Sequence, residues 1–217
     1  HSFELEETLA AKGKDEALGL VKDMLHNPGS VFYVRQQQPA GLGHAVWCAR
    51  HLVGSEPVAV LLADDLILGA SCVKEMVDAY KAGNMVAVMD VPHKQTDSYG
   101  IVTPGADDGR IVQVEGLVEK PDPSSAPSNI AVVGRYIITP EVFETLAAQE
   151  RGAGGEIQLT DALAKQIGKA PFSGVRFSGE RFDCGSKLGF LQANVAFGLN
   201  NDAMRDQLRD WLGERLG

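Results

Sequence analysis

The sequence predicts an α/β fold with a Rossmann-like, mostly parallel sheet that carries helices on both faces. Helical and extended patterns alternate from residue 17 to residue 89, which is typical of α/β proteins. The segment 58–63 is apolar at every position, as expected for a parallel strand covered on both faces. After residue 93, extended patterns follow one another around turns, which indicates an inserted antiparallel hairpin portion.

The N-terminal elements follow from apolar periodicity and from the residues that interrupt it. Pro28 and Gly29 end the first helix, and Ser71 is the expected N-cap of a later one. The predicted elements are a helix over 17–25, a strand over 31–36, a loop over 37–43, a helix over 44–52, a strand over 58–63, a helix from 71 to near 83 and a strand over 85–89.

The second half changes to short strands and then returns to helices. Thr139 is the expected N-cap of a helix that has Pro140 at its first position. The predicted elements are strands over 99–103 and 110–119 around a turn, an exposed loop over 122–129, a strand over 130–138, a helix over 157–167, a strand near 175–177 and helices over 186–199 and 203–216. We expect one domain over 1–217, with 93–135 as an inserted β portion and 186–217 as C-terminal helices.

Composition limits the classes of function. The 217 residues are 44% hydrophobic, and the formal net charge of −9 argues against non-specific binding of nucleic acid. Cys48, Cys72 and Cys184 match no zinc pattern and are expected to be free thiols. The longest apolar run, 58–63, is too short to span a bilayer. We therefore expect a soluble, cytoplasmic protein.

Two acidic segments each follow a predicted strand. Asp64 and Asp65 come directly after the strand 58–63, and Asp183 follows a second extended segment. Ligands of open α/β sheets bind beyond the carboxyl ends of strands, where such carboxylates could hold Mg²⁺. Asp64 or Asp65 could instead cap the following turn, and Asp183 taken alone is better explained as the N-cap of the helix that begins near residue 186. Sequence spacing alone leaves open whether Asp64 and Asp183 meet.

Three further segments are candidate binding elements. Around Gln36, the sequence R-Q-Q-Q-P-A-G-L-G-H-A offers an amide for a base edge and glycines for close approach of a ligand, although a plain strand-to-helix loop would look similar. Glu119 and Lys120 adjoin at a strand end and could contact a sugar phosphate or form an exposed ion pair. The glycine-rich segment 152–161 is a binding loop or a flexible connection, and its Glu156 and Asp161 receive no role.

The order of these motifs resembles one family. R-Q-x-x-P-x-G-L-G-H-A-V, an apolar strand ending in D-D, Y-G-I-V, G-L-V-E-K-P, P-S-N-x-A-V-V-G-R-Y, G-A-G-G-E-I-Q-L-T-D-A-L and F-D-C-G-S-K-L-G-F occur in series. The whole chain is thereby similar to the bacterial UTP–glucose-1-phosphate uridylyltransferases of the sugar-nucleotide pyrophosphorylase superfamily. The G-G-E-I-Q-L-T-D and F-D-C-G-S-K segments favour the uridylyl branch over the thymidylyl and adenylyl branches.

The resemblance implies roles on the nucleotide side of the site. Gln36 and Gly41 match the positions that contact the uracil. Asp64 and Asp183 match the metal-binding pair, and the implied cofactor is Mg²⁺. The implied reaction is direct in-line transfer that forms UDP-glucose and pyrophosphate from UTP and glucose 1-phosphate, with Asp64, Lys120 and Asp183 as the catalytic residues.

The resemblance also implies roles on the sugar side. Gly100 matches a backbone contact to glucose. Glu119 and Lys120 match the contacts to sugar hydroxyls and to the sugar phosphate. Val132 and Gly134 align with a strand on the same side.

One departure from the family pattern concerns the start of the chain. The family opens with a buried strand and a loop of the form G-x-G-T-R-x-x-P that holds the triphosphate, and no segment of this sequence matches that loop. We therefore expect the sequence to be an N-terminally incomplete portion of such an enzyme. The competing explanation is a catalytically silent domain that binds sugar nucleotides and regulates a partner.

The sequence leaves alternatives open for the substrate and for the number of subunits. A related nucleotidyltransferase could use another base or sugar, whereas a glycosyltransferase of the GT-A type should show a D-x-D motif that Asp64-Asp65 does not provide. Met204, Leu208, Trp211 and Leu212 recur at helical spacing and must pack on the protein's own core or on another subunit. A homo-oligomer, either a dimer or a tetramer, is expected.

Overall fold

The structure is a computed structural model that describes residues 2–217. It divides into two compact units, His1–Arg35 and Gln36–Gly217. The described part of the first unit contains two helices in contact with each other, α1 (Phe3–Ala11) and α2 (Asp15–Asp23). No helix among residues 2–217 is long and apolar enough to cross a membrane.

The first unit confirms one predicted element and contradicts another. The helix expected over 17–25 is present as α2 (Asp15–Asp23), and α1 was not predicted. The strand expected over 31–36 is wrong, because these residues adopt no regular secondary structure. Phe32 is 65% exposed and Tyr33 is 95% exposed. No strand of the described chain pairs with this segment, and β propensity alone does not make an isolated strand stable.

The second unit contains the strands and the remaining helices. Its described strands are β1 (Val58–Leu61), β2 (Asp65–Leu68), β3 (Asn84–Asp90), β4 (Gly100–Asp107), β5 (Ile111–Glu119), β6 (Ile130–Ile138), β7 (Phe172–Arg176) and β8 (Glu180–Asp183). Its described helices are α3 (Leu42–Cys48), α4 (Cys72–Ala79), α5 (Pro140–Leu146), α6 (Leu159–Ala164), α7 (Lys187–Asn200) and α8 (Arg205–Leu216). Short 3₁₀ turns lie at His93–Ser98, Pro123–Ser125 and Ala153–Gly155.

The predicted α/β architecture with a central sheet is confirmed, and the sheet is mixed. The strand order is β1-β6-β3-β7-β5-β4. Strands β1, β3, β7 and β4 run in one direction, whereas β5 and β6 run in the other. Because β6 separates β1 from β3 and β5 separates β7 from β4, only the β3–β7 ladder of the described sheet is parallel. The expectation of a mostly parallel sheet is therefore met in one sense, because four of the six strands of this sheet run in the same direction. It is not met for neighbouring strands, most of which are antiparallel.

Strand β1 lies at the edge of this sheet. It pairs with β6 alone among the described strands, and its residues alternate between half-buried and exposed. Leu61 is 52% exposed. The expectation that the apolar run 58–63 is covered on both faces is therefore not met, because only one face of β1 packs against the core.

Helices cover both faces of the sheet, as predicted. Val86 and Val88 of β3 pack with α3, α5 and α6 in the larger hydrophobic core. Met85 and Ala87 point to the opposite face and pack with Cys72 and Met76 of α4. The alternation follows from the two-residue period of a strand and fixes the sheet between two apolar layers.

Two antiparallel strand pairs carry the acidic and sugar-side candidate residues of the site. β4 and β5 form the predicted hairpin, which continues the central sheet through the contact of β5 with β7. β2 and β8 form a separate two-stranded sheet. Strand β2 was not predicted, because it begins at Asp65, the second of two aspartates that look like the end of the preceding strand.

Candidate active site

The β2–β8 pair brings the two acidic segments of the sequence together. Asp65 lies directly opposite Asp183 in the ladder. The backbone N–H of Cys184 donates to the carbonyl of Asp64 at 2.8 Å and extends the pairing beyond the strand ends. The meeting of these segments, which sequence spacing left open, is thus a consequence of backbone hydrogen bonds.

The carboxylates of Asp64 and Asp183 converge beside Gly185. Asp64 Oδ2 and Asp183 Oδ1 lie 3.2 and 3.1 Å from the position that a Cβ atom on Gly185 would occupy. The two oxygens are therefore at most 6.3 Å apart, because each lies within 3.2 Å of the same point. Asp183 Oδ1 also accepts from the Gly185 N–H at 3.0 Å, which orients its carboxylate. A side chain at this position would fit tightly against both acids.

This pair suits a hard divalent cation that is shared with phosphates. Asp64 is exposed and Asp183 is half-buried, so both can reach a ligand. Residues 2–217 contain no cluster of three or more His, Cys, Asp or Glu side chains that could hold a metal by itself. Mg²⁺ is commonly held by one or two carboxylates, with waters and substrate phosphates as its other ligands. The donor set therefore fits Mg²⁺ better than zinc.

Asp65, the neighbour of Asp64, is a structural residue. It is 4% exposed. One of its carboxylate oxygens accepts from the Gly134 N–H at 2.5 Å, and the other pairs with the guanidinium of Arg181. The Asp64-Asp65 pair is thus divided between an exposed acid that is free to bind a ligand and a buried acid that fixes the surrounding backbone.

Arg181 links this buried acid to the sugar side of the site. Its Nη1 donates to Tyr99 Oη at 3.1 Å, and its guanidinium carbon lies 5.5 Å from the centroid of the Tyr99 ring. Burial alone would lower the pKa of Arg181, but the Asp65 carboxylate and Tyr99 outweigh burial and raise it. The Tyr99 carbonyl in turn accepts from the Lys120 N–H at 2.9 Å. Sequence reasoning missed Arg181 and Tyr99.

Glu119 and Lys120 are adjacent at the end of β5, where the backbone turns at Lys120. Lys120 has φ of +46°, in the left-handed region that residues other than glycine rarely adopt. This turn explains how adjacent residues at a strand end can approach one ligand. The Glu119 side chain is 12% exposed and that of Lys120 is 54% exposed, with 4.0 Å between Lys120 Nζ and Glu119 Oε1.

Gly100 lies opposite Glu119 in the β4–β5 hairpin. A Cβ atom at Gly100 would stand 3.2 Å from Glu119 Oε2 and 3.2 Å from Thr160 Oγ1. Thr160 belongs to α6 and is 8% exposed. The three residues form one cluster, in which Thr160 is a member that sequence reasoning missed because it lay in a segment without an assigned role.

Val132 and Gly134 lie on β6. Val132 is 8% exposed and packs in the larger hydrophobic core. The Gly134 N–H binds Asp65, and a side chain at this position would collide with the Asp65 carboxylate. Nearby, burial and then the charges of Glu119 and Asp65 raise the pKa of the Tyr136 phenol. The contact of Val132 and Gly134 with a sugar stays a prediction.

The loop that carries Gln36 and Gly41 is held by the glycine-rich segment 152–161. The Ile157 N–H donates to the Ala40 carbonyl at 2.8 Å, and the Gly43 N–H donates to the Ile157 carbonyl at 2.8 Å. Gly41 has φ of +104°, and a Cβ atom there would lie 2.8 Å from Glu156 Cβ. The segment is therefore a support for the candidate base-binding loop.

The Gln36 side chain folds back onto this loop. Its Nε2 donates to the Gly41 carbonyl at 3.0 Å and lies 2.9 Å from His44 Nδ1. Both contacts are half-buried. The two residues predicted to contact the base, Gln36 and Gly41, are thus in direct contact with each other.

Comparison with known proteins agrees with this arrangement. The sequence pattern of the nucleotidyl transferase family matches residues 2–198. A UTP–glucose-1-phosphate uridylyltransferase of Komagataeibacter xylinus is 47% identical over 214 residues, which cover 97% of this chain and 73% of that protein. The chain belongs to the UTP–glucose-1-phosphate uridylyltransferases of the nucleotidyl transferase family.

Solved structures of uridylyltransferases have the same fold. The UTP-bound enzyme from Acinetobacter baumannii superimposes with a TM-score of 0.87 at 37% identity, over 99% of this chain and 76% of that one. A UDP-glucose pyrophosphorylase complexed with UDP-glucose gives a TM-score of 0.75 at 39% identity, over 78% of this chain and 66% of that one. Nucleotidyl transferases of this kind typically use a divalent metal.

Proposed function

We propose that this chain forms UDP-glucose and pyrophosphate from UTP and glucose 1-phosphate. The observation that carries the proposal is the convergence of the Asp64 and Asp183 carboxylates across the β2–β8 pair, in a chain that belongs to the uridylyltransferases. A candidate base-binding loop and a sugar-side cluster lie in the same compact unit and supply contacts for the base and for the sugar phosphate.

The reaction is a direct transfer. A phosphate oxygen of glucose 1-phosphate attacks the α-phosphorus of UTP in line, and the bond from that phosphorus to the bridging oxygen breaks as pyrophosphate leaves. Such transfers depend on positioning and on charge stabilisation, and they require no protein nucleophile.

Asp64 and Asp183 are the residues that would hold Mg²⁺. Their carboxylates are the hard oxygen ligands that this ion prefers. When bound, the ion would supply positive charge that offsets the negative charge developing on the phosphates during transfer. Asp65 keeps the backbone beside Asp64 in place through Gly134 and Arg181.

Glu119, Lys120 and Gly100 bind the sugar phosphate. The Glu119 carboxylate accepts hydrogen bonds from sugar hydroxyls, and the Lys120 ammonium attracts and orients the attacking phosphate. The backbone of Gly100 contacts the glucose. A side chain at this position would crowd Glu119 and Thr160. Val132 and Gly134 of β6 line the sugar side of the site.

The base-binding residues are Gln36 and Gly41. The amide of Gln36 can donate and accept, which suits the edge of uracil. The positive φ of Gly41 lets the backbone approach a planar base closely.

The test is a pyrophosphate-release assay of the purified protein with glucose 1-phosphate and magnesium, in which UTP, dTTP and ATP are compared. The proposal predicts a clear preference for UTP and loss of turnover with a chelator. A preference for dTTP or ATP would support a related nucleotidyltransferase instead. Binding of UDP-glucose without turnover would support a silent regulatory domain.

We also propose a homo-oligomer, either a dimer or a tetramer. Leu208 of α8 packs closely on Gly198 of α7, but Met204 is 46% exposed and Trp211 is 48% exposed. Part of the apolar stripe therefore remains available for a second subunit. Light scattering coupled to gel filtration tests this, and a monomer at all concentrations would contradict it.

A cytoplasmic location is the last part of the proposal. The three cysteines are free in the structure, and Cys72 is buried with a pKa raised to about 11, mainly by burial. Free thiols are the ordinary state of cysteines in a reducing compartment. Cell fractionation tests the location.

A further inference from the structure

The orientation of the Gln36 amide is fixed by two acceptors. A backbone carbonyl can only accept a hydrogen bond, so the group that meets the Gly41 carbonyl at 3.0 Å is the NH₂ of Gln36. The same NH₂ lies 2.9 Å from His44 Nδ1. Both hydrogens of this group are thereby engaged, and the carbonyl Oε1 at the other end of the amide takes part in neither contact.

His44 can serve as the second acceptor only in one tautomer. Nδ1 must carry a lone pair, so the ring hydrogen resides on Nε2. Cys48 Sγ, a weak donor, lies 4.0 Å from the same Nδ1. The His44 ring also stacks near Trp47, with 6.1 Å between ring centroids. Two potential donors thus converge on one ring nitrogen of a residue that is held by its own helix, α3.

We infer that His44 is a positioning residue that selects the base, because together with the Gly41 carbonyl it holds the NH₂ of Gln36 and leaves the amide to present a hydrogen-bond acceptor to the nucleotide. This inference rests on the proposed function and on the assignment of Gln36 to the base. His44 need not touch the substrate itself. It acts by preventing the Gln36 amide from rotating to present its NH₂.

A fixed acceptor favours uracil over cytosine. At N3, uracil carries a hydrogen, which Gln36 Oε1 can accept, whereas cytosine carries a lone pair that would repel it. No hydrogen bond among the described residues occupies the Gly41 N–H. This donor lies on the same loop as Oε1, and together they offer an acceptor and a donor to the N3–H and an adjacent carbonyl of uracil. An amide that is free to rotate would lose this discrimination.

The experiment measures steady-state kinetics with UTP and with CTP, each at saturating glucose 1-phosphate and magnesium, for the wild type and three variants. His44→Ala removes the acceptor. His44→Asn restores it, because the side-chain oxygen of asparagine can take the place of Nδ1. His51→Ala is the matched control, because His51 is an exposed histidine that follows α3 closely in the sequence.

We expect His44→Ala to raise KM for UTP about tenfold, the effect of losing one hydrogen bond, and to change kcat about twofold or less. The ratio of kcat/KM for UTP to that for CTP should fall by about the same factor, and KM for glucose 1-phosphate should not change. His44→Asn should recover most of the preference, and His51→Ala should match the wild type. An unchanged preference in His44→Ala would overturn the inference.

Calorimetric titration with UTP and with CTP separates this inference from the proposed function. If the wild type binds UTP more tightly than CTP but forms no UDP-glucose, the proposed function fails and the role of His44 is still decided by the His44→Ala titration. Equal loss of affinity for both nucleotides in that variant would show a structural effect and would overturn the inference.

Discussion

The carboxylates of Asp64 and Asp183 approach each other across the position of the Gly185 side chain. Asp64 Oδ2 and Asp183 Oδ1 lie 3.2 and 3.1 Å from the place of a Cβ atom on Gly185. They come from segments far apart in sequence, and the β2–β8 ladder joins those segments. The absence of a side chain at Gly185 is therefore part of the site.

The first prediction concerns this glycine. Gly185→Ala should push the two carboxylates apart and raise the magnesium concentration for half-maximal pyrophosphate release about tenfold, since metal affinity depends on ligand placement. Gly54→Ala is the control, because a methyl group there meets open space. An unchanged magnesium dependence in Gly185→Ala would show that the spacing of the acids does not matter.

The second prediction separates two adjacent acids. Asp65→Asn leaves the buried guanidinium of Arg181 without its partner and should lower the free energy of unfolding by about 3–5 kcal/mol. Asp64→Asn changes an exposed residue and should alter stability by about 0.5 kcal/mol or less, while abolishing magnesium-dependent turnover. Urea unfolding and the pyrophosphate assay measure the two effects. Similar stability losses in both variants would contradict the division of roles.

The third prediction concerns the contact between Arg181 and Tyr99. Tyr99→Phe removes the hydrogen bond at 3.1 Å but keeps the ring near the guanidinium, so it should cost about 1 kcal/mol of stability. Because the Tyr99 carbonyl holds the Lys120 N–H, KM for glucose 1-phosphate should rise a few-fold while KM for UTP stays unchanged. A rise in both KM values would indicate a general loss of order.

The fourth prediction uses the left-handed backbone of Lys120. Lys120→Ala and Lys120→Gly both remove the ammonium group and should raise KM for glucose 1-phosphate much more than KM for UTP. Glycine tolerates φ of +46°, whereas alanine is strained there, so the glycine variant should be more stable than the alanine variant by about 1 kcal/mol. Equal effects on the two KM values would refute the assigned phosphate contact.

Much of the second unit could be predicted from local patterns. The strand Ile130–Ile138 and the β4–β5 hairpin match their predicted positions, because uninterrupted apolar segments bounded by turn residues specify them. The strand expected over 31–36 failed for the opposite reason: its side chains had the right propensity, but no described strand pairs with it. Strand formation depends on partners that local sequence does not reveal.

Prediction of the candidate site from sequence is also limited by contacts between distant segments. Asp64, Asp183, Glu119 and Lys120 could be selected from their positions at strand ends, but the contact between Asp64 and Asp183 depends on β2, which was not predicted. Arg181 and Tyr99 were missed as supporting residues because their importance lies in long-range hydrogen bonds. Composition and spacing carry no signal for such contacts.

The most direct test of the account is the magnesium dependence of UDP-glucose formation in Asp64→Asn, Asp183→Asn and the double variant, with UTP and glucose 1-phosphate as substrates. If the two acids hold one ion, each single variant should lose nearly all activity, and the double variant should be no worse than either. Full magnesium-dependent turnover in Asp183→Asn, with the fold intact, would contradict the central claim.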